Sequence, residues 1–284
     1  MIKKFGVLFI LALFLSGCAT NPITGRDQFI LISEDSAIAL SREAYVGMLK
    51  PVKDEGKLDN DPLLERRVKS ITELLIAQAI KYRPETANWQ WSVHVVDDPE
   101  VVNAWCMAGG RMAIYTGLIN KLDATDAEIA QVMGHEISHA LLTHSAEKMS
   151  RGLALQAGLT ALAITQSDKK HSRLKVQGAA IAAIIALELP NSRNAESEAD
   201  RIGIEIAAKA GFDPNAAITL WQKMEKNTSG NKPPAFLSTH PLPQDRIAAL
   251  TQIIPTLTKY YEDESPRPRY KLKPDSLKSE EVLF

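Results

Sequence analysis

The feature that most limits how this chain can fold is a capped helix with polar side chains on one face. Residues 125–128, Thr-Asp-Ala-Glu, have the spacing of a capping box, which predicts a helix from there to about His144. Within it stand His135, Glu136 and His139. Positions four apart on an α-helix differ by about 40° in azimuth, so the two imidazoles project side by side with the carboxylate adjoining. Polar side chains grouped in this way on one helix face need a binding partner if the helix is buried, and this limits how the rest of the chain can pack around it.

Two imidazoles at this spacing are typical of a metal site. Neutral imidazoles suit Zn²⁺, and a catalytic zinc site keeps one position open for water. Glu136 is placed to reach such a water without being a ligand. The pattern therefore predicts a hydrolytic zinc site that needs a third protein ligand.

Candidates for the third ligand lie on a predicted helix over residues 191–210. Glu196 and Asp200 share a face of it, so we expect one to bind the metal and the other to hydrogen-bond a ligating histidine. Glu198 points about 160° away from Asp200 and is the weaker candidate. The alternative is that these acids form only a solvated helix face.

Two further histidines need an interpretation. His144 lies on the opposite side of the predicted helix from His135, so we do not expect it to be a ligand. His240, in the loop sequence Ser-Thr-His-Pro, has three interpretations: it stabilises an oxyanion, it occupies the open metal position, or it is an ordinary loop histidine.

The rest of the pattern predicts an α+β, predominantly helical fold in which a small β-sheet packs beside the motif helix. Helical spacing covers residues 34–49, 62–81, 215–226 and 244–257, and strand alternation covers 89–95 and 103–115, the second broken by Gly109-Gly110. Apolar segments at 152–165 and 176–189 predict a helical hairpin inserted at 150–190, buried or dipping into a membrane surface. We expect one domain over residues 34–258 and a mostly unstructured tail over 259–284.

The N-terminus has the pattern of a leader. Residues 1–17 combine a basic start, an apolar run too short to span a bilayer, and small residues before Cys18. The string Leu-Ser-Gly-Cys resembles the lipobox of bacterial lipoproteins, which implies cleavage before Cys18 and its acylation. Ala19 after the cysteine implies the outer membrane, again by resemblance. We expect residues 18–33 to be a linker that carries the body away from the lipid.

Charge and cysteine content exclude other classes. The net charge is -1, and a protein that binds phosphate backbones needs a basic face, so nucleic acid is not an expected partner. Cys18 and Cys106 are the two cysteines. With Cys18 assigned to lipid, Cys106 has no partner within the chain, and we predict a buried, inert thiol.

The paired motifs resemble a known family. His135-Glu136-x-x-His139 followed by Glu196-x-Glu198-Ala199-Asp200 is similar to the zinc metallopeptidases that include HtpX, the mitochondrial protease Oma and the CAAX prenyl endopeptidase. The resemblance implies a gluzincin-like, zincin-type domain with one Zn²⁺ per chain. It also implies the ligands His135, His139 and Glu196, with Glu136 as catalytic base and Asp200 as supporting acid. His240-Pro241 also matches a recurrent element near that site.

Other motifs point to one branch of this family. The lipobox, Asn103-Ala104 followed by Gly109-Gly110, and Tyr115-Thr116-Gly117-Leu118 resemble its periplasmic lipoprotein branch. Longer relatives in that branch continue into a helical-repeat domain, and this chain ends soon after its last apolar helix, so functions that depend on those repeats are not implied.

Two functions follow as hypotheses. The first is a zinc endopeptidase, lipid-anchored on the periplasmic face of the outer membrane, that cleaves misfolded or mis-assembled envelope proteins. An extended substrate would lie along the β section near Asn103, Gly109 and Gly110. The alternative is an outer-membrane assembly factor or chaperone with a structural or latent zinc site. In either case the outer-membrane assembly machinery is a candidate partner.

Overall fold

The computed structural model describes residues 18–166, 189–227, 235–240, 246–274 and 277. The helices are α1 Glu34–Asp54, α2 Pro62–Tyr82, α3 Thr116–Lys121, α4 Asp126–Leu141, α5 His144–Gln166, α6 Leu189–Lys209, α7 Ala216–Lys226, α8 Ala235–Thr239 and α9 Arg246–Tyr261. The strands are β1 Cys18–Thr20, β2 Asp27–Phe29, β3 Ser92–Val96, β4 Ala104–Cys106 and β5 Arg111–Tyr115. The predicted α+β, predominantly helical class is confirmed.

Local sequence accounts for where the principal helices begin. The capping box of α4 is present: the Thr125 hydroxyl accepts from the Glu128 backbone N–H, and the Glu128 carboxylate accepts from the Thr125 backbone N–H. Helix α2 starts with Pro62 in its first turn and is capped by the Asp61 carboxylate. These caps satisfy backbone donors that a helix leaves unpaired at its start.

Two small sheets accompany the helices. In one, β5 lies between β3, to which it is parallel, and β4, to which it is antiparallel. The turn between β4 and β5 contains Gly109 and Gly110, both with φ of +85°, a conformation that L side chains rarely adopt. The other sheet is the antiparallel pair β1 and β2. Strand β4 is therefore the outer strand on one side of the three-stranded sheet.

The motif helix α4 runs through the centre of the molecule. Most of its residues are buried, and it packs against α2, α6, α7 and β4. Its apolar side chains Ile129, Met133 and Ile137 are fully buried. His135 and Glu136 on this helix are only 4% and 3% exposed, so the motif lies at a buried position.

The N-terminal segment does not behave as the predicted linker. Residues 18–29 form a β-hairpin that docks on the body, and its side chains Asn21 and Gln28 are only 3% and 2% exposed. Both amides donate to the backbone carbonyl of Leu142. The turn signals in this segment indicated a turn, but they carried no information about partners more than a hundred residues away.

The predicted unstructured tail is also wrong for residues 262–274. This segment lies along the body: the backbone N–H of Tyr270 donates to the Glu73 carbonyl, and that of Lys273 donates to the Trp91 carbonyl. Tyr270 and Leu272 pack against the main core. The Pro- and charge-rich composition of the segment as a whole outweighs its two apolar side chains, Tyr270 and Leu272. Composition also carries no information about the distant carbonyls to which the segment bonds.

The predicted hairpin at 150–190 lies partly outside the described residues. Its first arm belongs to α5, which begins earlier than predicted, at His144. Residues 167–188 are not described. Of the helices in the described ranges, none is long and apolar enough to cross a membrane.

Candidate metal centre

Two helices bring the predicted site residues together. Helix α4 carries His135, Glu136 and His139, and α6 carries Glu196 and Asp200. The helices approach closely at a pair of glycines, where a Cβ built on Gly203 would lie 2.7 Å from the backbone nitrogen of His135. The absence of side chains at this crossing lets ligands from both helices reach one point.

Four ligand atoms converge there, from His135, His139, Glu196 and His240, all within 4.8 Å of one another. His135 Nε2 lies 3.0 Å from His139 Nε2 and 3.4 Å from Glu196 Oε2. His139 Nε2 lies 3.3 Å from Glu196 Oε1. His240 Nδ1 lies 3.0 Å from Glu196 Oε1 and 3.3 Å from His135 Nε2.

These separations fit a tetrahedral zinc ion. Zinc bonds of about 2.0–2.1 Å in tetrahedral geometry place neighbouring ligand atoms about 3.3 Å apart. Five of the six pairs among the four residues have separations of 3.0–3.4 Å, which agree with this value. Two imidazole nitrogens that face each other can share only one hydrogen, so a cation between them satisfies both lone pairs. The donor set of imidazoles and one carboxylate is also the set that zinc prefers.

Charge supports the same interpretation. Burial acts to raise the pKa of Glu196, but hydrogen bonds with the three imidazoles outweigh burial and hold the pKa well below its ordinary value. The carboxylate is therefore an anion, as a ligand must be.

Asp200 supports His135 from the side away from the other ligand atoms. Its Oδ1 lies 3.0 Å from His135 Nδ1 and also accepts from the guanidinium of Arg246. Arg246 is buried and lies over the ring of Trp221, with Cζ 3.8 Å from the centroid. The sequence interpretation missed Arg246, because no local pattern distinguishes it from a surface arginine.

His144 is not among the converging ligand atoms, as predicted, but its predicted place on the far side of the helix is wrong. Its Nδ1 lies 2.8 Å from His139 Nδ1, and its Nε2 lies 3.0 Å from Glu198 Oε2. The azimuth argument assumed a continuous helix, but α4 ends at Leu141 and Thr143 has φ of +55°. This break turns the chain so that His144 faces His139.

Glu136 lies next to the ligand cluster and is not part of it. The side chain is almost fully buried, and its Oε1 has no hydrogen-bond partner among the described residues. Burial raises the pKa of Glu136, while the backbone of Cys106 hydrogen-bonds to the carboxylate and opposes the rise. A buried carboxylate with one free oxygen is suited to accept a proton.

His240 lies between the ligand atoms and Glu136. Its Nδ1 belongs to the cluster, its Nε2 is 3.4 Å from Glu136 Oε1, and its ring stacks on Phe236 at a centroid distance of 4.5 Å. This position fits a fourth ligand and differs from that of an ordinary exposed loop histidine.

The remaining predicted residues occupy separate places. Asn103 directly precedes β4, and its buried Oδ1 has no hydrogen-bond partner in the described part of the chain. A Cβ on Gly109 would meet Ile38 at 2.8 Å, and one on Gly110 would meet Trp91 at 2.6 Å. Packing therefore explains both glycines without a substrate. Cys106 is a buried free thiol, and burial raises its pKa well above the ordinary value.

Comparison with known proteins agrees with this geometry. Metalloendopeptidase OMA1, mitochondrial, of Bos taurus is 32% identical over 269 residues, which cover 92% of this chain and 50% of that protein. Mitochondrial metalloendopeptidase OMA1 of Saccharomyces cerevisiae is 29% identical over 272 residues, 89% of this chain and 76% of that protein. Beta-barrel assembly-enhancing protease of Escherichia coli is 27% identical over 224 residues, 76% of this chain and 44% of that protein.

The chain spans about half the length of the bovine relative and somewhat less of the bacterial one. The sequence model of Peptidase family M48 matches residues 62–254, which include the motif helix and all four converging ligand residues. The resemblance predicted from the paired motifs is thereby confirmed, as is zinc as the metal of the family. This chain belongs to peptidase family M48.

Proposed function

We propose that this protein is a zinc endopeptidase. The observation that carries the proposal is the convergence of the ligand atoms of His135, His139 and Glu196, with the free carboxylate oxygen of Glu136 beside them. A structural zinc site has no use for an acid beside the ligands that does not itself bind the metal.

The residues of the site have different proposed roles: metal ligands, proton acceptor and orienting groups. A zinc ion held by His135, His139 and Glu196 would supply Lewis acidity to a water and to the peptide carbonyl. Glu136 accepts a proton at Oε1 and passes it to the leaving amine. Asp200, held by Arg246, orients His135.

We further propose that an extended substrate pairs with β4. This outer strand follows Asn103 and bonds through Cys106 to Glu136, so a peptide added to its edge would pass beside the base. Backbone pairing tolerates many side chains, which suits misfolded proteins as substrates.

The proposed setting is the periplasmic face of the outer membrane. Its support is the lipobox pattern ending at Cys18, together with the similarity to the bacterial beta-barrel assembly-enhancing protease. Misfolded or mis-assembled envelope proteins are then the substrate class, and the outer-membrane assembly machinery is a candidate partner. Palmitate labelling tests the anchor: it should be lost in Cys18→Ala, and labelling that persists would contradict acylation at this residue.

The test of the proteolytic proposal is Glu136→Gln on an unfolded substrate such as casein, with zinc supplied. Loss of the base should lower kcat by about 10²–10⁴-fold while zinc binding is retained, because Glu136 is not a ligand. Zinc content measured on the same sample separates loss of chemistry from loss of metal. Cleavage equal to that of the wild type would refute the proposal.

One observation favours a second function. His240 completes a set of four protein ligands, as structural zinc sites have. An assembly factor or chaperone with a structural or latent site would need zinc but not Glu136. Complementation of a deletion strain with Glu136→Gln discriminates the two, since full rescue requires a function independent of proteolysis.

A further inference from the structure

The N-terminal hairpin, residues 18–29, reaches the metal centre through a chain of polar contacts. Arg26 lies on this hairpin, and its Nε is 3.0 Å from both carboxylate oxygens of Glu198. Glu198 in turn lies 3.0 Å from His144 Nε2, and His144 Nδ1 lies 2.8 Å from His139 Nδ1. A segment predicted to be a linker thus ends three contacts from a proposed zinc ligand.

The hairpin also holds the helix break that makes these contacts possible. The amides of Asn21 and Gln28 both donate to the Leu142 carbonyl, at 3.0 and 2.8 Å. The Thr143 hydroxyl donates to the Gln28 side-chain oxygen at 3.0 Å. Thr143 has φ of +55°, which costs a non-glycine residue free energy unless neighbouring contacts stabilise it. The docked hairpin supplies those contacts.

Hydrogen-bond chemistry gives the chain of contacts a direction. A carboxylate only accepts, so His144 Nε2 carries the hydrogen that bonds to Glu198. In a neutral imidazole the other nitrogen, Nδ1, is then an acceptor. His139 Nδ1 must therefore donate to it. That leaves the lone pair of His139 on Nε2, the atom that faces Glu196 and His135.

We propose that Arg26, Glu198 and His144 are positioning residues that hold His139 in the tautomer able to bind metal. Asp200 does the same for His135 by direct contact. For His139 a carboxylate acts through an intervening imidazole, and Arg26 holds that carboxylate from the hairpin. The zinc centre is consequently complete only when the hairpin is docked. This inference rests on the proposed zinc site, though not on proteolysis.

Zinc affinity of the full chain, measured by competition with a chromogenic chelator, tests the proposal without any cleavage. His144→Leu should lower affinity by about 10–100-fold, because it removes the acceptor for His139. His144→Asn keeps an acceptor near the position of Nδ1 and should stay within about threefold of the wild type. Equal affinity of His144→Leu and the wild type would overturn the proposal.

The hairpin's part is tested by a matched pair of arginines. Arg26 bonds to both Glu147 and Glu198, and Arg151 is 3.3 Å from the same Glu147. Arg26→Gln should lower zinc affinity by about tenfold, and Arg151→Gln should leave it unchanged. Equal losses in both variants would mean that Glu147, and not the Glu198 contact, matters.

A second measurement tests the tautomer of His139 directly and does not depend on whether Arg26→Gln folds. The chain has six histidines, so long-range ¹H–¹⁵N spectra of the zinc-free full-length protein can be assigned by single substitutions. His139 should carry its hydrogen on Nδ1, and should lose that preference in His144→Leu. Hydrogen on Nε2 of His139 in the wild type would overturn the proposal. Failure of casein cleavage with the expected tautomer would refute the protease and leave this inference standing.

Discussion

A single methyl group at the crossing of α4 and α6 should disable the metal centre. A Cβ on Gly203 would lie 2.7 Å from His135 N and 2.8 Å from His135 Cα, about 0.7 Å short of the 3.4 Å at which ordinary van der Waals contact begins. These obstructing atoms belong to backbone, so no rotamer change relieves the clash. In Gly203→Ala the helices must move apart by a comparable distance.

That movement separates the ligands, because His135 and Glu196 stand on the two helices. Their ligand atoms are 3.4 Å apart, the spacing that zinc requires, and a site tolerates displacements of only about 0.5 Å. We expect zinc affinity to fall by at least about tenfold and kcat/KM on casein by about 10²-fold. Overpacking should also cost about 1–3 kcal/mol of unfolding free energy.

The assay compares Gly203→Ala with Gly47→Ala, the same substitution in helix α1 at a position where a Cβ meets nothing within 4 Å. Gly47→Ala should stabilise the protein by about 0.5–1 kcal/mol and leave zinc binding unchanged. Chelator competition gives affinity, and thermal melts with and without zinc give stability. A Gly203→Ala protein that binds zinc as tightly as the wild type would refute the reasoning.

Three further outcomes are expected. His240→Ala should raise casein cleavage at saturating zinc, because it opens the position that faces Glu136; lower cleavage would favour a transition-state role for His240. Glu128→Gln should cost about 1–3 kcal/mol at pH 7. Burial acts to raise the Glu128 pKa, but Lys223 and other donors hold it below its ordinary value. The stabilisation is therefore full above the unfolded-state pKa and is lost as the pH falls through the lowered folded-state pKa. Denaturant melts of the two proteins should therefore converge in acid, and a constant gap would contradict this. Chelator should lower Tm and added zinc should restore it, because the ligands join α4 to α6; an unchanged Tm would contradict the site.

Much of the candidate site was predictable because its pattern is local. The capping box and the spacing of His135 and His139 act within a few turns of one helix, where azimuth follows from residue number. The same rule placed Glu196 and Asp200 on one face of α6, and the structure puts Glu196 with the converging ligand atoms and Asp200 on His135 Nδ1. Which of Glu196 and Asp200 is the ligand depends on how α6 approaches α4, and the spacing of residues along the sequence does not specify that approach.

The rule failed where a helix ended unexpectedly. Helix periodicity places His144 on the side opposite His135, because it treats the chain as one helix to about His144. Helix α4 ends at Leu141, and Asn21 and Gln28 from the N-terminal hairpin bond to the Leu142 carbonyl at this break. Arg246 was missed for a related reason, since its partner Asp200 is 46 residues away and its stacking partner lies on another helix.

By itself the sequence determined the helical class, the motif helix with its cap, and the pairs of side chains able to share a metal. All of these depend on contacts between neighbours along the chain, whose geometry the helix repeat defines. Tertiary structure alone decided that the N-terminal hairpin docks, that residues 262–274 lie along the body, and that His144 and Arg246 support the ligands. Most of those contacts join residues dozens to more than a hundred positions apart, and the contact of His144 with the nearby His139 exists only because the helix breaks between them. Each buried polar group needs a hydrogen-bond partner, and this requirement specifies the contacts.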